Sequence, residues 1–208
     1  MNTFNWRVCL NAQYITLLLL GVALSGYGQS LKQQFEVYFK NNKIGHVQAE
    51  RTEKGNSTVV DLKTETETSV VMVSVHVESE VTITYQNGTL STGVAYRHAN
   101  RGAQDVHAKV TRLKENEYSI ERNGTTRKMK DGVINFCVAD LFFKEPVGRK
   151  NVFSNMYGET LPLKSLAAGQ YQLITPDKKN STYKYQNGKL VEVETDTPVG
   201  KVVSRRSE

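Results

Sequence analysis

The side chains of this chain that could move a proton or hold a metal are few. There are four histidines, His46, His76, His98 and His107. His98 and His107 flank Asn100-Arg101-Gly102, a turn signal, so a hairpin would draw them together with Asp105 two residues from His107 on the same face. Two imidazoles and a carboxylate so placed suit an acid/base pair or part of a metal site, and a hydrolase using His98, Asp105 and His107 is the catalytic expectation to weigh. Such a site needs a third ligand or an enclosing pocket, and the surrounding pattern supplies neither, so solvated strand histidines are the plainer reading. Glu78 and Glu80 are paired carboxylates on one strand face, an arrangement that more often solvates a surface than performs acid/base work.

Other catalytic signatures are missing. The chain has no His-Glu-x-x-His, no Cys-x-x-Cys, no glycine loop followed by Lys and Ser or Thr, and no Gly-x-Ser-x-Gly elbow. A non-enzymatic protein without a cofactor is therefore expected. Cys9 and Cys137 are the two cysteines, and Cys137, between Phe136 and Val138, reads as a small buried hydrophobe.

The elements that would position these residues begin after a leader. Arg7 precedes an apolar run from Ile15 to Leu24, and Ser25-Gly26-Tyr27-Gly28 places small residues before a cut at Gln29, the pattern of a cleaved secretory signal over residues 1–28. The run is shorter than the roughly 20 residues of a spanning helix, so membrane contact is expected only through the leader before cleavage. A periplasmic or secreted product follows, with one domain over residues 29–208. The leader contains one basic residue and no acid, so its loss lowers the formal charge from +6 to +5. The densest basic cluster, Arg122, Arg127, Lys128 and Lys130, surrounds the Asn123-Gly124 turn without interleaved aromatics, which argues against nucleic-acid binding.

The central stretch is Val71 to Tyr85. Val71, Val73, Val75, Val77, Val81 and Ile83 fall on odd positions, whereas Ser74, His76, Glu78 and Glu80 fall between them, which is the period of an extended strand. At about 3.3 Å per residue it would run for about 50 Å, and strands that long twist and curl. The preceding segment, Thr58 to Thr68, has its apolar residues at even positions, so the phase slips at Ser69-Val70-Val71. A bulge or corner would make Thr58 to Tyr85 one bent strand and a turn would make it a hairpin; with no Gly, Pro, Asn or Asp to mark a reversal, the bend is expected.

Short turns punctuate the rest, the strongest being Asn87-Gly88, Asn123-Gly124 and Asn187-Gly188. Tyr85-Gln86-Asn87-Gly88-Thr89-Leu90 recurs as Tyr185-Gln186-Asn187-Gly188-Lys189-Leu190, which repeated turn chemistry explains better than duplication, because the flanks differ. Gly45 suits a bulge or a close backbone approach. Val138 to Lys144 reads as one or two helical turns ended by Glu145-Pro146.

The expected fold is thus mostly β, an antiparallel meander forming a strongly curved half-barrel or barrel with one short helical segment near 138–144. Its concave face would be lined by Val73, Val75, Val77, Val81 and Ile83, closed by Leu141, Phe142 and Phe143. Those residues would either fill a packed core, the plainer outcome, or surround a cavity for a hydrophobic or amphiphilic, lipid-like ligand. The alternative is a structural module that offers edge strands to another envelope protein.

Lys43-Ile44-Gly45, Tyr85-Gln86-Asn87-Gly88, Phe143-Lys144-Glu145-Pro146 and Tyr183-Lys184-Tyr185-Gln186-Asn187-Gly188 together resemble an exported family of unknown function from Gram-negative, Bacteroidota-type bacteria. The resemblance covers most of positions 33 to 206. It implies a periplasmic or secreted β-barrel or half-barrel domain and carries over no catalytic residue.

Overall fold

The computed structural model describes residues 28–70, 73–100, 104–130, 132–197 and 200–207, so the expected leader lies outside it except for Gly28. Eight strands come first: β1 (Gln29–Phe39), β2 (Asn42–Lys54), β3 (Ser57–Val70), β4 (Val73–Gln86), β5 (Thr89–Ala99), β6 (Val106–Lys114), β7 (Glu117–Arg122) and β8 (Thr125–Met129). A long connection follows with a single 3-10 turn, Val138–Phe142, in the segment expected to be helical. Six shorter strands complete the chain: β9 (Asn151–Ser154), β10 (Glu159–Ala167), β11 (Gln170–Leu173), β12 (Ser181–Gln186), β13 (Lys189–Thr197) and β14 (Gly200–Arg206).

All fourteen strands form one antiparallel sheet in the order β8-β7-β6-β5-β4-β3-β2-β1-β14-β13-β12-β11-β10-β9. Each half is a meander, and β1 pairs with β14 to join them. The outermost strands, β8 and β9, do not pair with each other, so the sheet stays open. It is nonetheless rolled, because the β9–β10 turn reaches the far end: Met156 O accepts from Arg122 Nε at 3.0 Å and Gly158 O from Arg127 Nη2 at 2.5 Å. The mostly β, strongly curved half-barrel is therefore what forms.

One expectation at the centre is overturned. Instead of a single bent strand through Ser69–Val71, β3 and β4 form a hairpin in unbroken register from Ser57↔Gln86 to Val70↔Val73. Paired residues share a face, and here every pair joins an odd with an even number, so even-inward in β3 becomes odd-inward in β4. The parity change was the signature of a reversal and not of a bulge. The turn itself, Val71 and Met72, lies outside the described residues.

Local chemistry explains the other joints. Asn87, Asn123 and Asn187, each followed by Gly, take positive φ at both positions, as the two-residue turns of a right-twisted hairpin require. Register shifts between Val37 and Tyr38 opposite Gly45, as the glycine suggested. A Cβ on Gly45 would also stand 2.0 Å from the Glu65 carbonyl oxygen, so the close approach to β3 is real as well.

The core lies on the concave face. Phe35, Val37 and Val47 pack with Leu163, Tyr183 and Leu190 on one side, and Val60, Ile83, Leu90, Val110 and Ile120 pack on the other. The connection between β8 and β9 runs between these clusters. It sends Phe136, Leu141 and Phe142 into the first and Ile134, Cys137 and Ala139 into the second, acting as a plug across the roll.

Candidate functional site

The plug is held from both halves of the sheet by the repeated hexapeptide. In each copy the Tyr pairs with the Leu five residues on, and all four side chains are buried inward. Tyr85 donates its hydroxyl to the Asp140 carboxylate, and Tyr185 donates to the Leu141 carbonyl oxygen at 2.6 Å. Two tyrosines on strands far apart in sheet order thus grip adjacent residues of the 3-10 turn.

Asp140 is the hub. Only 4% exposed, it accepts through Oδ2 from Tyr85 and from the Cys137 amide at 2.8 Å, and through Oδ1 from Arg51 Nη1 on β2 at 3.0 Å. Burial pushes its pKa up; the Tyr85 hydroxyl, the Cys137 amide and the charges of Arg51 and Arg149 offset that in part. Burial, followed by the neighbouring charges, likewise pushes Tyr85 up, so it stays a protonated donor. Burial next to Asp140 pushes the Cys137 thiol up too, consistent with an inert buried cysteine.

Beside this hub lies an open cleft of about 570 Å³. One wall is the start of β1, Gln29 to Leu31, and another is Arg51 and Glu53 of β2. The plug supplies Phe136, Phe143, Lys144 and Arg149, with Tyr85 and Asp140 at the base. Arg51 Nε is paired with Glu53 at 2.9 Å, whereas Arg149 lies over the Phe136 ring, 4.2 Å from its centroid, and donates to Asn135 Oδ1 at 3.3 Å. The cleft is amphiphilic, with aromatic walls and fixed charges side by side.

The eight lining candidates are dispersed by the structure. Ile83, Leu141 and Phe142 are buried in packed core. Val81 is half-buried against the second cluster, and Val75 and Val77 are half-buried toward the β3–β4 hairpin end. Val73 belongs to β4, but its side chain is outside the described set. Phe143 alone lines the cleft.

His98 and Asp105 do meet, Nδ1 to Oδ1 at 2.9 Å, and this contact holds the Asp105 carboxyl below its usual value. His107 lies instead against Tyr96, the ring centroids 5.0 Å apart and the planes tilted by 54°. All of them share the outward face, opposite buried Ala95, Val106 and Ala108. Glu78 bonds His76 and Glu80 bonds Lys63, so that pair is divided between two surface contacts. No group of three His, Cys, Asp or Glu that could hold a metal occurs among the described residues.

Arg51, Tyr85, Asp140 and Arg149 escaped the sequence reading as a group because they come from three separate segments, β2, β4 and the plug. The hexapeptide repeat was a signal for Tyr85 alone, whose phase places it with the core.

Fold and site together define an open, rolled antiparallel β-sheet protein whose interior is closed by its own connecting segment. The chain belongs to the family described as "Domain of unknown function (DUF6134)", which matches residues 35–207. Comparison with curated proteins and with solved structures found no match.

Proposed function

We propose that this chain is an exported protein of a Gram-negative envelope that binds an amphiphilic, lipid-like ligand without transforming it, and that the cleft beside the plug is where binding occurs. The observation that carries the reading is the cleft itself, which sets Phe136 and Phe143 against Arg149 and Lys144 in about 570 Å³, within the range of small-molecule sites. Export rests on the leader pattern of residues 1–28, an apolar run followed by small residues before Gln29. Native mass spectrometry of protein purified from its own envelope without detergent is expected to reveal a co-purified apolar molecule. Protein that is consistently empty and takes up no added amphiphile would end the proposal.

A second reading, a protein-interaction module, draws on β8. This strand ends the sheet, and its first four residues, Thr125 to Lys128, are exposed, so it offers an edge for strand addition. Capture from envelope extracts separates the two, since an adaptor recovers protein and a carrier recovers ligand.

A further inference from the structure

We infer that the ligand of this cleft has an anionic head, a carboxylate or a phosphate, and that Lys144 and Arg149 supply the charge that holds it. The inference rests on the binding reading above and specifies the chemistry recognised. Three cations line the cleft, and they are not equivalent. Arg51 is committed on both sides, to Asp140 at 3.0 Å and to Glu53 at 2.9 Å. Lys144 and Arg149 form no ion pair among the described residues.

Arg149 is also pre-set. Its guanidinium lies over the Phe136 ring and spends one N–H on Asn135, leaving other donors of a planar fork that matches carboxylate and phosphate oxygens. Lys144, exposed at the end of the plug next to Phe143, is a flexible point charge that can close on the same oxygen atoms.

The acids in the cleft do not oppose this. Both Asp140 oxygens are occupied by donors and the residue is buried, and Glu53 is paired with Arg51. Three cations against these two acids leave the cleft with one excess positive charge, and a cationic head would meet the two cations that have no ion pair among the described residues. The carbon part of an amphiphile would lie along Leu31, Phe136 and Phe143, of which Leu31 is 49% exposed and thus has apolar surface to lose to a ligand.

The test is calorimetric titration of the mature chain at low salt with decanoate, decyl phosphate, decanol and inorganic phosphate. The two anionic amphiphiles are expected to bind at least about tenfold more tightly than decanol or inorganic phosphate. In Lys144→Ala/Arg149→Gln, affinity for both should fall about tenfold or more, with decanol unchanged. Because Arg149 also packs on Phe136, Arg149→Lys is the companion variant; it keeps the charge and should keep most of the binding, and melting curves verify that each variant folds. Decanol binding as well as decanoate, with the double variant unaffected, would overturn the anionic head and leave the amphiphile reading standing. Inorganic phosphate binding as well as decyl phosphate would keep the anion clamp and remove the amphiphile. Absence of binding by all four would remove both.

Discussion

Asp140 accepts hydrogen bonds from its own turn and from two strands distant in sequence, so its removal is felt in all three. Asp140→Ala would strand the Tyr85 hydroxyl and the Cys137 amide in the core and leave Arg51 half-buried without its deeper partner. Because Arg51 is partly exposed and keeps Glu53, the cost lies in the stranded buried donors, about 1–3 kcal/mol each, readable as a shift of the urea midpoint. Asp140→Asn keeps an acceptor and should cost less. The pair of variants also isolates the carboxyl's pH dependence. Its folded pKa lies above the ordinary 3.8, so its contribution is fully present below pH 3.8 and is lost as pH rises through the folded value. Relative to Asp140→Asn, the parent should be most stable at acid pH, and a difference that grows with rising pH instead would show that the ion pair with Arg51 dominates.

At this scale the sequence was legible where one residue's neighbours decide its fate. Cys137, flanked by Phe136 and Val138, was readable as a buried hydrophobe, and it is fully enclosed. His98 and His107 were expected to be drawn together across a turn with Asp105 on the same face; the hairpin sets His98 on Asp105, and His107 lies against Tyr96. Asp140 was not readable, because an aspartate in an apolar run looks like any surface acid until the fold brings Arg51 and Tyr85 to it.

Among elements, the β3–β4 hairpin shows what periodicity carries and what it leaves open. Alternation located both strands and their inward faces correctly. The direction of the chain between them was misread because reversal was assumed to need a turn-forming residue, whereas partners in a two-residue hairpin change parity by arithmetic alone. Gly45 offers a test at the same scale. Its added methyl in Gly45→Ala would overlap the Glu65 carbonyl of β3, where backbone cannot yield, so a loss of about 2 kcal/mol is expected from thermal melting. Gly55→Ala is the contrast: the site is open but φ is +57°, so only the left-handed penalty of about 1 kcal/mol applies. Equal losses at the two sites would mean that β2 and β3 are not so tightly apposed.

For the whole molecule, the roll is completed by side chains and not by strand pairing. Arg122 and Arg127, two members of the basic cluster around the Asn123-Gly124 turn, bind the carbonyls of the β9–β10 turn. Replacing each by Ala should cost about 1 kcal/mol per lost bond and raise amide exchange in residues 155–158 well above that elsewhere in the sheet. Unchanged exchange there would assign closure to the plug alone. Curvature and strand content were legible from the length and phase of the strands. The open seam was not, since nothing in a strand's own sequence says whether its outer edge will find a partner.

The first residues of β1 form part of the cleft's wall, so the chain enters the folded domain at the cleft's lip. An amino-terminal change at Gln29 is therefore made in the lining that also carries Lys144 and Arg149, and it reaches the cleft's chemistry without passing through the sheet.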